Sequence, residues 1–190
     1  MDTTLAGVRV LFDGVPAPLL FVSSNEIRAI VPFAVTPRTT SDVQVEVQGN
    51  RTSPRTIAVR DSSPAIFTLD GSGIGQGAVQ NADGTLNSPD NPARRGSFLT
   101  LYTSGLALLG TNFVDGEIAT APQMLGFVAS PLLAGVSVPI AYAGPSPGSI
   151  RALVQINVVV PANAPTGSAV SLALVVSSMT TRQRVTVAIR

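Results

Sequence analysis

The sequence predicts an all-β protein, and three observations carry that prediction. Apolar residues alternate: in "DVQVEVQG", Val43, Val45 and Val47 face one way and Gln44, Glu46 and Gln48 the other, as in a half-buried antiparallel strand. Helix signals are scarce, whereas β-branched residues, 17 Gly and 15 Pro punctuate the chain at the short intervals that turns between strands require. The third observation is an internal repeat whose unit has the size of a small β-sandwich.

In chain order, strands are expected at residues 8–12, 18–22, 26–30, in the alternating stretch 42–49, and at 55–59, 98–103, 136–142, 154–159, 170–176 and 184–189. "EIRAIVPFAVTPRTTSDVQVEV", from Glu26, aligns with "QINVVVPANAPTGSAVSLALVV", from Gln155, at an offset of 129 residues. That offset superposes Val31-Pro32 on Val160-Pro161, and Val43, Val45 and Val47 on Leu172, Leu174 and Val176. Proline lacks a ladder donor, so each Val-Pro marks a strand exit. Upstream, "DGVPAPLLFV" aligns with "AGVSVPIAYA" at an offset of 121, pairing Pro18 with Pro139 and Phe21 with Tyr142. The second copy therefore carries an eight-residue insertion near "PSPGSIRAL". A rival match of "LAGVRV" with "LAGVSV" is rejected because it breaks the Val-x-x-Pro-x-x-aromatic spacing.

Two copies of one unit give the expected architecture: two tandem immunoglobulin-like β-sandwiches, at 1–62 and 97–190, joined by a linker at 63–96 that contains a β-hairpin. The copies are unequal. "GSFLTLYTSGL" precedes the second repeat and reads as its first strand, and the first copy has no counterpart. An uncapped sheet edge is a template for another chain, so the gap is expected to be filled by an upstream segment that was cut away, by the linker, or by a neighbouring subunit through self-association at the open edge of the first unit, set against a unit that simply tolerates a shorter sheet.

Composition removes most catalytic plans. With no His and no Cys there is no imidazole base, no thiolate nucleophile, no disulfide framework and no thiolate metal site, so neither enzyme activity nor a cofactor is expected. The 12 cations are all Arg, against 11 acids, for a net charge of +1. They are too dilute to neutralise a run of phosphates, and nucleic acid is not an expected partner. No apolar run reaches the ~20 residues of a membrane helix. The start, "MDTTLAGVRV", has no signal-peptide pattern, so if the protein is exported its signal is expected upstream or already removed.

The phrases "GVPAPLLFVSSNEIRAIVP", "GQGAVQNADGTLNSPDNPARRGSFLTLYTSGL" and "YAGPSPGSIRALVQINVVVPANAPTGSAVSLAL" together span most of the chain. They resemble the C-terminal module found on many secreted proteins of soil acidobacteria, whose halves are similar to the immunoglobulin-like units of plexins and transcription factors. The resemblance implies an extracytoplasmic, immunoglobulin-like, non-enzymatic module, and a structural or adhesive part, extracellular or at the cell surface, is the function expected. It brings no ligand and no functional residues. Family members carry a run like "GSFLTLYTSGL" ahead of the first unit as well, and this chain departs from them there.

The most polar stretch is "QGAVQNADGTLNSPDNPARRG", residues 76–96. Asn81-Ala82-Asp83-Gly84 has the residues of a type I turn followed by a glycine bulge, with 78–80 and 85–87 as hairpin arms. Asn81, Asp83, Asn87 and Asp90 are candidate ligand-binding residues because calcium takes six to eight oxygens from such loops. No bidentate Glu completes an EF-hand there, and no metal site is assigned. Arg94 and Arg95 join the same candidate set as anchors for a polysaccharide, for which the chain offers a thin aromatic platform of no Trp and two Tyr.

Asp115 and Glu117 flank Gly116 and read as a surface turn rather than the facing acids of a glycosidase. Asn50-Arg51-Thr52 matches the glycosylation pattern within a hairpin, and "DGSGIGQG" reads as flexible linker since it lacks the lysine of a phosphate loop. Tyr102 and Tyr142 are expected in the core or on a sheet face.

Overall fold

A computed structural model describes residues 1–106, 114–124, 129–176, 179–181 and 184–190. The protein is all-β, built of several antiparallel sheets in a sandwich-type fold, with one turn of 3-10 helix at Phe33–Val35. No helix among the described residues is long and apolar enough to cross a membrane. The chain gathers into two compact units: residues 1–61 with 114–119, and the remaining described residues from 62 onward.

The first unit contains β1 (Val8–Phe12), β2 (Val15–Pro16), β3 (Leu19–Val22), β4 (Ile27–Ala29), β5 (Thr40–Val47), β6 (Asn50–Arg51) and β7 (Arg55–Ala58). One sheet has the order β2-β1-β5-β6, with β7 also on β5; β3 and β4 pair with each other. Its core is Val10, Phe12, Ala17, Leu19 and Val35.

The second unit adds β8 (Ala65–Ile66), β9 (Ile74–Gln76), β10 (Gln80–Asn81), β11 (Phe98–Ser104), β12 (Ala129–Leu133), β13 (Val136–Ser137), β14 (Ile140–Pro145), β15 (Val154–Val159), β16 (Gly167–Val176), β17 (Met179–Thr180) and β18 (Arg184–Ile189). One sheet runs β10-β11-β15-β14 with β8 on β11, and the other β13-β12-β16-β18-β9 with β17 on β16. Only the β9–β18 pairing is parallel among the named ladders. The core between the sheets is larger, and Leu99, Leu101, Ile156, Val158, Leu174 and Val187 in it are wholly inaccessible.

The two sequence offsets reappear as pairing registers. β1 pairs β5 with Phe12 opposite Val43 and Val10 opposite Val45, and β12 pairs β16 with Leu133 opposite Leu172 and Pro131 opposite Leu174. A bulge between Leu19 and Phe21 in the β3–β4 pair recurs between Ile140 and Tyr142 in β14–β15. The same hairpin turn sets both copies: Asp13-Gly14 and Ala134-Gly135 hold positive φ of 49° and 83°, and 51° and 79°, the conformation of a tight primed turn. Details of bonding also repeat. The Thr52 hydroxyl accepts from Val45 N and the Thr181 hydroxyl from Leu174 N, both at 3.1 Å; Ile30 N donates to Pro18 O and Val159 N to Pro139 O, both at 2.9 Å.

Three differences from the sequence expectation have local causes. The strand expected over 136–142 is two, β13 and β14, in different sheets. Its break is Val138-Pro139, where Val138 N turns back to Pro131 O and proline has no donor to continue the ladder. β12, with Pro131 at its centre, is not among the expected strands. There Leu174, opposite it, directs its own N–H and C=O to Thr181, so β12–β16 loses no bond at that position.

The third difference concerns 63–96, expected as a linker but folded into the second unit. β8 and β10 pair β11, β9 pairs β18, and Ile66, Val79 and Ala93 enter the core. "DGSGIGQG" is likewise no flexible tether. Asp70 accepts from Ser72 N, Gly73 N donates to the Thr68 hydroxyl, and Gly75 and Gln76 lie in β9 beside β18.

Candidate functional site

Two places in the chain invite a functional reading: the polar stretch 76–96 and the edges of the first unit.

In the polar stretch the hairpin forms as expected. Asn81 N donates to Thr85 O, Gly84 N to Asn81 O, and Gly84 takes a φ of 80°. The amides, however, are consumed by the fold. Asn87 is fully buried; its Nδ2 donates to Asn81 Oδ1 and to Ala188 O, each at 2.9 Å, and its Oδ1 accepts from Ala188 N at 2.8 Å and Gln76 Nε2 at 3.1 Å. One side chain thus clips the hairpin to β18 across 101 residues.

Of the remaining candidates, Asp83 accepts from the Thr85 hydroxyl and the Thr85 N–H, which hold its carboxyl below the usual range in that order of importance. Arg95 Nε donates to Ala164 O at 2.6 Å. Asp90 is exposed and does not line the adjacent cleft. That cleft, about 240 Å³, brings together Asn81, Asp83, Arg94 and Arg190. Thus Asn81, Asp83 and Arg94 meet, while Asn87, Asp90 and Arg95 belong elsewhere. Small-molecule sites run from roughly 300 to 1,000 Å³ and are mostly apolar, so the cleft is small and polar for one. No group of three or more acidic residues capable of holding a metal occurs among the described residues.

The other sequence candidates are structural. Asp115 Oδ1 accepts from Phe33 N at 2.7 Å within a turn, and the Met1 ammonium donates to Gly116 O. Tyr102 donates its hydroxyl to Gln80, and Tyr142 donates to Pro145 O. Asn50 lies in β6, at the hairpin expected.

The edges of the first unit differ in kind. In the second unit, β15 is paired on one side by β14 and on the other by β11. Its counterpart β4 is paired by β3 alone. Similarly β18 lies between β16 and β9, while its counterpart β7 is paired by β5 alone. Where the sequence suggested one absent strand, two edge positions are open among the described residues.

Burial follows directly. Ile156, Val158 and Val160 are all 0% exposed, while the residues 129 positions earlier, Ile27 and Ala29, are only partly buried and Val31 is 50% exposed. Val187 is inaccessible and its counterpart Ile57 is exposed. Leu20 and Phe21 on β3 are exposed too, with the Arg28 guanidinium 5.5 Å over the Phe21 ring. The first unit is a sandwich half with the positions of β9 and β11 unfilled among the described residues.

No family model matches the chain, and no curated protein is similar to it. The edge residues Ile27, Ala29 and Ile57 carried no motif of their own, and Val31 was marked only as a strand exit; the signal that finds them is the burial of their partners one repeat later.

Proposed function

We propose that the chain is a non-catalytic structural or adhesive module of an extracellular or cell-surface assembly. Its sharpest form is a subunit of a surface fibre joined by β-strand complementation at the first unit. The observation that carries this reading is the contrast between equivalent residues: Val160 wholly buried, Val31 half exposed. Exposed apolar edges of this kind are aggregation hazards unless covered, and natural proteins cover them or use them as joints. The resemblance to modules of secreted acidobacterial proteins supports the location, as well as two immunoglobulin-like units. A composition without His or Cys supports the non-catalytic part.

Polysaccharide or calcium binding at 76–96 has weaker support, because Asn81 and Asn87 spend their amide groups on each other, on Asn91 O and on Ala188 of β18. The test is the state of the native protein. Material released from the producing cells is sized by light scattering and imaged by negative-stain electron microscopy. Large regular assemblies containing the chain are expected, and recovery only as a free monomer overturns the proposal.

A further inference from the structure

We propose that the outer face of the β10-β11-β15-β14 sheet binds a neutral polysaccharide. The site lies in the second unit and does not depend on the joint proposed for the first. Alternation turns Leu99, Leu101, Ile156 and Val158 into the core, and so turns Thr100, Tyr102, Gln155 and Asn157 outward. The registers set the outward side chains in two rows across the sheet. One row runs Gln80, Thr100, Asn157, Tyr142, and the next runs Tyr102, Gln155, Gly144. Both tyrosines of the chain therefore stand on one face, and neither row contains a charged residue. Thr100 and Gly144 are buried and the others half-buried, so the rows form a close-set floor.

The two rings are held in place. The Tyr102 hydroxyl donates to Gln80 Oε1 at 2.9 Å; the Tyr142 hydroxyl donates to Pro145 O at 3.2 Å and accepts from Gln123 N at 3.3 Å. Two strand spacings of about 4.8 Å and two residues of about 3.4 Å along the strand put the tyrosine Cα atoms roughly 12 Å apart. Between them Gln155 Nε2 donates to Asn157 Oδ1 at 3.0 Å. Gln155 Oε1 is left as an acceptor and Asn157 Nδ2 as a donor, with no protein partner among the described residues. At the β14 end the face is closed by Gln123, whose carbonyl a Cβ on Gly144 would strike and whose side chain is bonded by Arg151 at 2.9 Å.

A sugar presents hydroxyls that both donate and accept, set around an apolar C–H face. Unspent amide donors and acceptors between fixed aromatic rings match that pattern. A charged ligand finds no opposite charge in the rows, and a wholly apolar one would bury the unspent amide groups at a cost. The first unit shows that the fold does not demand this composition. By the two repeat offsets, Tyr142, Gln155 and Asn157 correspond to Phe21, Glu26 and Arg28. There the side chains satisfy one another, as an Arg28–Glu26 ion pair at 2.7 Å with the guanidinium 5.5 Å over the Phe21 ring.

The test uses the full 190-residue chain. Because it has no Trp and both its Tyr lie on this face, tyrosine fluorescence reports the face directly. Hydroxyethyl cellulose, mixed-linkage β-glucan, xylan, galactomannan and dextran are each cast into native gels, with alginate and pectate as acidic controls. At least one neutral polymer is expected to retard the chain, and its oligosaccharides to change the tyrosine emission saturably. Gln155→Ala removes the free acceptor, and Asn157→Asp removes the free donor while keeping the bond from Gln155. Each is expected to weaken binding about threefold to tenfold, the worth of a net hydrogen bond, with the Tm of the second unit moved by no more than about 2 °C.

Retardation by none of the neutral polymers overturns the proposal, as does retardation by the acidic ones alone. Binding of a neutral polymer that is undiminished in both variants, or that leaves tyrosine emission unchanged, places the site elsewhere and overturns it too. A change of emission on concentrating the chain alone would make the face a contact between copies, which also overturns it.

Discussion

Replacing Asn87 by alanine separates a folded hairpin from a connecting loop. The substitution removes four hydrogen bonds in one step. Ala188 O keeps a second donor, Ala93 N at 3.0 Å, but Ala188 N has only Asn87 Oδ1 on that side, and Ala188 is 0% exposed. An orphaned buried N–H costs about 1–3 kcal/mol, and the bonds to Asn81 and from Gln76 add about 1 kcal/mol each. The expected loss is therefore about 3–5 kcal/mol. At roughly 3–5 °C per kcal/mol for a domain of this size, calorimetry of the full chain should show the second unit melting about 10–20 °C lower, with the first unit unmoved.

The aspartate variant refines the same test. Asn87→Asp can still accept from Ala188 N, but when ionised it sets a charge against Asn81 Oδ1 and Ala188 O. Burial and those acceptors raise its folded-state pKa above the unfolded value of about 3.9, so stability is highest at low pH and falls as pH rises past 4. A loss below about 1 kcal/mol for Asn87→Ala, or a pH-independent Asn87→Asp, would refute the claim that this amide ties the hairpin to β18.

Three further outcomes follow from the same geometry. Thr181→Val removes the buried hydroxyl that accepts Leu174 N and should cost the second unit about 1–2 kcal/mol, while the equivalent Thr52→Val, at an exposed position, should cost under about 0.5 kcal/mol in chemical denaturation. Asp13 is held below the usual carboxylate range by the Asp42 N–H first, then the Ser41 hydroxyl and Arg38. Because its folded pKa is depressed, its contribution is present above about pH 4 and lost as pH falls. The Tm of the first unit should decline on acidification, and Asp13→Asn, which tolerates the positive φ at this turn, should flatten that decline. Gly105→Ala would force a Cβ into the Ser63 carbonyl at a φ of 70°, so denaturant titration should show a loss of about 3 kcal/mol or more in the second unit.

The repeat was legible because alternation and the Val-Pro stops are local marks. Val43, Val45 and Val47 announce a strand wherever it pairs, and one offset carries them onto Leu172, Leu174 and Val176. β12 was not legible, since a central proline argues against a strand until the partner's bonding is known. Residues 63–96 were misread for a related reason. Their strands are two or three residues long, and they exist because β9 pairs the distant β18 and the Asn87 side chain reaches Ala188 far along the chain. No local pattern encodes a bond spanning 101 residues. The open β4 edge was visible as a missing counterpart of "GSFLTLYTSGL", but the open β7 edge was hidden because its covering strand in the second unit passed for a flexible glycine-rich run.

The two units also differ in what holds them. Among the described residues, the ion pairs Arg9–Glu46, Arg28–Glu26, Arg38–Asp13 and Arg51–Glu46 lie in the first unit. Exposed pairs of this type contribute at most about 1 kcal/mol each, whereas each fully buried leucine of the second core contributes about 1.5–3 kcal/mol. Charge therefore does not replace the missing strands, and the first unit is the softer of the two. Its charges have a second effect. Arg28 on β4, Glu26 just before it and Arg55 on β7 stand at the open edges, where charged side chains discourage indiscriminate pairing. Ile27 and Ala29 point the other way, toward the core, and remain able to meet an apolar strand. An edge so arranged discourages a random neighbour and opposes an apolar strand in register least.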